Sequence, residues 1–126
     1  METAYGHIVN STVAEEVTLS KTTNTEQMVR SYFEDIPVMI QIARCESTFR
    51  HKLEDGSVLK GLVDPADTGV MQINKRYHEK TAITMNLNLD DINQNMEYAR
   101  FLYETQGTQP WSASSSCWRP ELAMNI

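Results

Sequence analysis

The residues best suited to chemistry lie in two short segments in the middle of the chain. Glu46 ends an almost wholly apolar stretch, and a Gly-led segment carrying Gln and Asn side chains, 69–74, follows it downstream. Loss of hydration and the negative end of a helix dipole would both raise the pKa of a carboxyl placed like Glu46. A carboxyl that stays protonated near neutral pH can donate a proton to a leaving oxygen. The pattern indicates a buried general acid facing a polar ligand, with a solvated glutamate at a helix end as the alternative.

Helices and a short hairpin are the elements predicted to position these segments. Apolar spacing and capping residues predict helices from about residue 24, from Pro37 to Cys45, from Asn74 to about Met85 and from Asp91 to Gly107. Asp55-Gly56, between the second and third of these, predicts a β-hairpin or irregular loop. The fold class is therefore predicted to be mainly α with a small β region.

The domain organisation predicted from composition is one domain between two less regular ends. Residues 1–25 are interpreted as a flexible N-terminal arm or linker, residues 26–118 as the domain and residues 119–126 as a C-terminal tail. Residues 108–118 are expected to form a Ser-rich loop. In the third helix, we expect Tyr77, Ala82 and Ile83 to face inward.

Size and charge exclude several classes of protein. With 126 residues, the chain is the length of one compact domain. Its formal net charge of -6 argues against nucleic acid as the main partner, because phosphate binding needs clustered Lys and Arg. No apolar run approaches the roughly 20 residues that span a bilayer, and no export signal is recognised. His7, His51 and His78 lack metal-ligand spacing, so neither a metal nor a cofactor is predicted.

The cysteines leave two interpretations open. Cys45 and Cys117 form no C-x-x-C pair, which gives little support to a zinc or thioredoxin-type site. They are either free thiols in a cytosolic protein or one disulfide that closes a long loop.

Three sequence segments carry a resemblance to a known family. They are Glu-Ser-Thr-Phe at 46–49, Gly-Val-Met-Gln-Ile-Asn at 69–74 and Asn95-Met96 on a predicted helix. In this order they resemble the soluble lytic transglycosylase domain of the lysozyme-like superfamily, to which goose-type lysozymes also belong. The resemblance covers about residues 28–118. It implies a lysozyme-like fold, with a hairpin or irregular loop region beside the active-site groove.

The resemblance also implies an activity and roles for individual residues. The expected reaction is cleavage of the β-1,4 bond between N-acetylmuramic acid and N-acetylglucosamine in peptidoglycan, forming 1,6-anhydromuramyl ends. Glu46 would be the single catalytic acid and base. The remaining candidates for substrate binding are Ser47 beside the acid, Met71 and Gln72 in the sugar groove, their neighbour Asn74, and the aromatics Tyr98 and Trp111.

The chain departs from the family pattern at two places. Ala99 stands where the family helix usually has Gly, and the late Ala-Tyr-Asn motif is absent, with Pro110-Trp111-Ser112 in its place. The family's Tyr approaches the catalytic Glu, so Trp111 or Tyr98 is expected to border the site here; core packing is the alternative for both.

A second carboxylate would change the expected outcome of the reaction. Asp64 and Asp67 are candidates, and either of them holding water would make the chain a hydrolytic muramidase of the same fold. The alternative is that both serve ordinary turns. A non-catalytic glycan-binding component of the wall is a third interpretation.

The resemblance carries consequences for the cysteines and for location. A wall-degrading enzyme works outside the reducing cytosol, which favours a Cys45–Cys117 disulfide that ties the C-terminal loop to the catalytic helix. The expected location is the cell envelope, periplasmic or secreted. The expected partners are peptidoglycan glycan strands, and the protein is expected to be a monomer.

Overall fold

A computed structural model of the chain describes residues 24–124. Residues 1–23 of the expected N-terminal arm lie outside this range, and residues 24 and 25 already belong to the first helix. Within the described range, the chain is mainly helical and has a two-stranded antiparallel sheet, so the coarse α+β class is confirmed.

The elements follow one another in a simple order. The helices are α1 (24–32), α2 (Pro37–Ser47), α3 (Lys75–Thr84), α4 (Ile92–Gln106), a 3-10 helix (Gln109–Ser114) and α5 (Ser115–Met124). The strands are β1 (Asp67–Thr68) and β2 (Ile73–Asn74), which pair with Asp67 opposite Asn74 and Thr68 opposite Ile73. The small sheet therefore lies between α2 and α3 in the chain, where the sequence predicts a hairpin or loop.

The helix that carries Glu46 is central to the core. Pro37 is its first residue, as expected of a residue that lacks a backbone donor but has a helical φ. The buried side chains of α2 are Met39, Ile40, Ile42, Ala43 and Ser47. Because α2 packs into the core, the Glu46 carboxyl near its end is partly shielded from solvent.

The hairpin predicted at Asp55-Gly56 is present as a single bridge. Lys52 and Val58 pair across it in antiparallel fashion, and the Asp55 carboxylate accepts hydrogen bonds from the backbone and hydroxyl of Ser57. Gly56 has φ +89°, a conformation that favours glycine. A second bridge, Lys60 to Thr68, joins this loop to β1.

The interior face of α3 is smaller than the sequence predicts. Asn74 caps the helix as expected, accepting from the Arg76 backbone at 3.0 Å. Ala82 is buried, but Tyr77 and Ile83 are 72% and 64% exposed, so their predicted inward orientation is wrong. At about 100° of rotation per residue, neither position shares a face with Ala82.

The clearest amphipathic helix, α4, begins and ends where the sequence predicts. The Asp91 carboxylate accepts from the Gln94 backbone at 3.0 Å, and Gly107 ends the helix at φ +66°. Gln94 does not complete a capping box, because its amide oxygen accepts from the Asn88 backbone at 2.7 Å. The apolar stripe built around Met96 and Leu102 faces the core.

The C-terminal segment differs from its prediction as a Ser-rich loop and tail. Residues 109–114 form the 3-10 helix, and α5 continues through Met124, beyond the predicted boundary at 118. Trp111 and Trp118 are both 2% exposed. Burial of two indole rings holds this segment against the core, and this tertiary packing outweighs the low helix propensity of its serines.

A buried amide joins α4 to the sheet. Asn95 is fully buried; its Oδ1 accepts from the Met71 backbone, and its Nδ2 donates to the carbonyls of Thr68 and Leu89, all within 3.0 Å. These bonds satisfy a carbonyl of β1, a backbone N–H of the turn between the strands and a carbonyl of the segment before α4.

We expect Asn95→Leu to lower the free energy of unfolding by about 3 kcal/mol or more, because each buried group left without a partner costs about 1–3 kcal/mol. Urea denaturation monitored by circular dichroism would measure the loss. The matched control is Asn93→Leu at an exposed position of α4. Equal stability of the two variants would contradict a supporting role for the Asn95 amide.

The cysteines form a disulfide, Cys45–Cys117, with the two Cα atoms 6.0 Å apart and a sequence separation of 72. The expectation of a covalent tie is therefore confirmed. It links the end of α2 to α5 and so joins the centre of the chain to its C-terminal segment.

We expect Cys45→Ser combined with Cys117→Ser to lower the free energy of unfolding by about 4 kcal/mol, because a cross-link of this span restricts the unfolded chain. Urea denaturation of the oxidised wild type and the double variant measures the difference. A thiol reductant should destabilise the wild type by a similar amount and leave the double variant unchanged. A reductant effect on the double variant would attribute the loss to something other than this bond.

Candidate active site

The Glu46 carboxyl lies in the last turn of α2 and is half-buried. The chain turns sharply directly after the helix, since Thr48 and Phe49 have φ values of 55° and 58°. Ser47, beside the acid, is 2% exposed, and its hydroxyl donates to the Ala43 carbonyl at 3.0 Å. The described contacts of Ser47 therefore secure the end of α2, and its contact with substrate stays a prediction.

The pKa of Glu46 is raised above the ordinary range of a glutamate. Burial is the largest cause, and the negative charge of Asp67 acts in the same direction. A hydrogen bond from Ser114 opposes both by stabilising the carboxylate. The direction agrees with the prediction from sequence and is the one required of an acid that keeps its proton near neutral pH.

The hydroxyl of Ser114 is the closest partner of the candidate acid, and sequence reasoning missed it. Ser114 Oγ lies 2.7 Å from Glu46 Oε2. The indole Nε1 of Trp118 donates to the same Oγ at 3.1 Å. The run of serines at 112 and 114–116 gave no reason to single out one of them. The neighbouring Cys117, once paired with Cys45, was the available clue, because the bridge brings residue 114 near Glu46.

The two candidate second carboxylates have different surroundings. Asp64 accepts two hydrogen bonds from the Arg76 guanidinium, at 2.8 and 3.1 Å, and a third from Asn74. The Arg76 bonds hold the pKa of Asp64 well below its usual range. Asp67 accepts from Asn74 at 2.9 Å, and its charge acts on Glu46. Electrostatic coupling to the acid therefore distinguishes Asp67 from Asp64.

The segment 69–74 forms a tight turn that other residues pack against closely. Gly69 has φ +75°, and a Cβ there would lie 2.6 Å from both Asn95 Nδ2 and His51 Cε1. Met71 is fully buried, and its carbonyl accepts from the indole Nε1 of Trp111 at 2.9 Å. Protein atoms, not a ligand, thus make the close approach that requires glycine at 69.

Gln72 and Asn74 have more polar surroundings than Met71. Gln72 is half-buried with φ +51°, and its amide nitrogen donates to the Gly69 carbonyl at 3.0 Å. The Asn74 amide spans Asp64, Asp67 and the start of α3. The described hydrogen bonds of Asn74 support the local fold, and contact of Gln72 or Asn74 with a sugar stays a prediction.

The two candidate aromatics both lie in the core. Tyr98 is 1% exposed, and its hydroxyl is 2.9 Å from His78 Nδ1. Trp111 packs under the 69–74 turn through its bond to Met71. Of the two, Trp111 is the one connected to the Glu46 surroundings, because its carbonyl lies 3.2 Å from Ser114 Oγ. A direct contact of either ring with substrate stays a prediction.

His51 is buried and hydrogen-bonded at both ring nitrogens. Nδ1 accepts from the Val70 backbone at 3.0 Å, which leaves Nε2 to donate to the Asp90 carbonyl at 2.7 Å. Burial is the main cause that lowers the pKa of His51. Across residues 24–124, no group of three or more His, Cys, Asp or Glu side chains is arranged to hold a metal ion.

An open cleft is lined by residues that follow Glu46 in the chain. It has a volume of about 690 Å³ and lies between Phe49, the residues that follow it and the start of α4. Its charged lining includes Arg50, Lys52 and Asp91. Glu46 does not line it, so this cleft gives no support to an active site at the Glu46 carboxyl.

Comparison with known proteins gives no relative. No protein-family model matches the chain, and no curated protein and no solved structure is significantly similar to it. None of the helices in the described range is long and apolar enough to cross a membrane.

We expect Asp67→Asn to lower the pKa of Glu46, because the substitution removes a negative charge that opposes ionisation of the acid. An Asn oxygen can still accept from Asn74, so the local bond is kept. Titration of the Glu46 carboxyl by 13C NMR would measure the shift. Asp55→Asn, in the exposed hairpin turn, makes the same change in net charge and should leave Glu46 unmoved. A constant or rising Glu46 pKa in Asp67→Asn would contradict the coupling.

Proposed function

We propose that this protein is a peptidoglycan lytic transglycosylase with a lysozyme-like fold. One observation carries the proposal: Glu46 is half-buried at the end of a core helix, with a raised pKa and a hydroxyl donor at 2.7 Å. Two segments resemble that family: Glu-Ser-Thr-Phe spans the end of α2, and Gly-Val-Met-Gln forms the turn between the two strands of the small sheet. The α+β architecture supports the proposed fold.

The proposed chemistry uses one carboxyl twice. Protonated Glu46 gives its proton to the glycosidic oxygen as the bond to C1 of N-acetylmuramic acid breaks. The 6-hydroxyl of the same sugar then attacks C1, and the Glu46 carboxylate accepts the proton released from that hydroxyl. An internal 1,6-anhydro bond forms and no water is consumed. A positioned acid and base of this kind contributes about 10²–10⁴-fold to the rate.

The proposed substrate is the β-1,4 bond between N-acetylmuramic acid and N-acetylglucosamine. Gln72 has both a donor and an acceptor that suit sugar hydroxyls and N-acetyl groups. We place the protein in the cell envelope, periplasmic or secreted, because a disulfide persists best in oxidising compartments. Its proposed partners are peptidoglycan glycan strands, and we propose that it acts as a monomer.

A hydrolytic muramidase is the second candidate, and the coupling of Asp67 to Glu46 favours it. Inverting and retaining glycosidases use two carboxyl groups near the scissile bond. If Asp67 held a water molecule opposite Glu46, water would replace the 6-hydroxyl as the nucleophile. Asp64 is a weaker choice because its oxygens are bonded to Arg76 and Asn74.

We expect Glu46→Gln to lower the rate of peptidoglycan cleavage by about 10²–10⁴-fold, because the amide cannot donate the proton in acid catalysis. Digestion of purified peptidoglycan, followed by mass spectrometry of the soluble products, measures both the rate and the type of product. The matched control is Glu104→Gln at an exposed position of α4, which should retain wild-type activity. Full activity of Glu46→Gln would exclude the mechanism.

The products separate the three interpretations. Anhydromuramyl ends support the transglycosylase. Reducing ends, with loss of activity in Asp67→Asn, support the hydrolase. Intact glycan that the protein nevertheless binds would identify a glycan-binding component that lacks catalytic activity.

A further inference from the structure

The two oxygens of the Glu46 carboxyl differ in their surroundings. Oε2 is 2.7 Å from the hydroxyl of Ser114. Within the described part of the chain, no donor is hydrogen-bonded to Oε1. Among the described residues the carboxyl is therefore asymmetric: the C-terminal segment engages Oε2, and Oε1 accepts no hydrogen bond.

The direction of the Ser114 hydrogen bond follows from its neighbours. The indole N–H of Trp118 can only donate, and it is shared between Ser114 Oγ at 3.1 Å and the Trp111 carbonyl at 3.2 Å, so Ser114 Oγ is an acceptor in this bond. The single hydroxyl proton of Ser114 then has two acceptors to choose between, Glu46 Oε2 at 2.7 Å and the Trp111 carbonyl at 3.2 Å. The shorter contact, to an ionisable oxygen, is the stronger one. The order of donation is indole to hydroxyl to carboxyl.

We propose that Ser114 is a positioning residue that keeps Glu46 Oε2 as a hydrogen-bond acceptor and so leaves the transferable proton on Oε1. If the proton were on Oε2, the Ser114 hydroxyl could no longer donate to Oε2 and would have to donate to the Trp111 carbonyl, which is the longer contact. The role rests on the proposed function, because the proton on Oε1 is the one given to the glycosidic oxygen. After transfer, the same hydroxyl stabilises the carboxylate, and Oε1 is free to accept the proton of the sugar hydroxyl.

The C-terminal segment is built to hold this hydroxyl in place. Trp118 is 2% exposed, so its indole donor has little freedom to move. Three residues beyond Ser114, Cys117 is bonded to Cys45, the residue directly before Glu46. Glu46 is thus next to one end of the disulfide, and Ser114 is three residues from the other end. On the other side, Asp67 of β1 is the charged group that acts on Glu46, and it opposes ionisation.

The sign of a pKa change tests the direction of the bond without any need for activity. If Ser114 donates to the carboxyl, Ser114→Ala removes a bond that favours the charged form, and the pKa of Glu46 rises. If protonated Glu46 donates instead, the same substitution lowers the pKa. Titration of the Glu46 carboxyl by 13C NMR in the absence of substrate distinguishes these results. Ser114→Thr keeps a hydroxyl and should restore the wild-type value, and the exposed Ser112→Ala is the matched control. A fall or no change in Ser114→Ala overturns the proposal.

The kinetic readout separates positioning from binding. We expect Ser114→Ala to lower kcat about tenfold with KM unchanged, well short of the about 10²–10⁴-fold effect of losing the acid itself. Ser114→Thr should recover most of kcat. A rise in KM at constant kcat would overturn the positioning role. If the wild type leaves peptidoglycan uncut while Ser114→Ala still raises the pKa of Glu46, the proposed function fails and the hydrogen bond itself stands.

Discussion

The buried amide of Asn95 is the interaction on which the site segment depends. The two strands of the sheet are each two residues long. The backbone groups of residues 69–72, which connect the strands, therefore need hydrogen-bond partners outside the sheet. Asn95 supplies partners to the backbone on both sides of Gly69 and ties them to α4. The Asn95 amide lies so close to Gly69 that a Cβ at position 69 would overlap it. The same Cβ would also overlap the His51 ring. Glycine at 69 is therefore a consequence of this packing. The turn that carries Gln72 is held to the core through the Val70 and Met71 N–H groups and the Met71 carbonyl.

A second constraint closes the core at the opposite end of the chain. The end of α2 contacts both the 3-10 helix and α5, and the two tryptophans fill the space between them. Trp111 donates to the Met71 carbonyl, so the same segment that covers Glu46 also supports the 69–74 turn. The disulfide fixes this cover covalently. Glu46, the turn and the C-terminal segment are consequently linked, since Ser114 bonds to Glu46 and Trp111 bonds to Met71.

The sequence predicts local features well where a residue acts through its own backbone. Pro37 begins α2, Asn74 and Asp91 cap α3 and α4, and Gly107 ends α4, because these residues have intrinsic geometric preferences.

Features that depend on distant partners could not be predicted in the same way. Tyr77 is exposed because α3 presents only a narrow face to the core. The C-terminal segment buries Trp111 and Trp118 in the core and packs its two helices against α2, more than 60 residues away in the chain. For the same reason Glu46 could be selected as an acid from its position after an apolar helix, whereas its partner Ser114 could not be distinguished from the serines around it.

The burial of Glu46 that raises its pKa, as the proposed chemistry requires, also lowers the free energy of unfolding at neutral pH. Because burial raises its folded-state pKa above the unfolded value, the folded protein holds the proton more tightly than the unfolded chain does. The contribution of Glu46 to the free energy of unfolding is fully present below the ordinary pKa of a glutamate. It is lost as pH rises through the raised pKa of the folded state. At neutral pH this carboxyl therefore opposes folding, and the Ser114 bond reduces the penalty by stabilising the charged form. The disulfide beside it adds stability that does not depend on the protonation of Glu46. The disulfide lies next to this destabilising carboxyl, so it keeps Glu46 and its hydroxyl partner Ser114 together in both protonation states of Glu46, as the proposed chemistry requires.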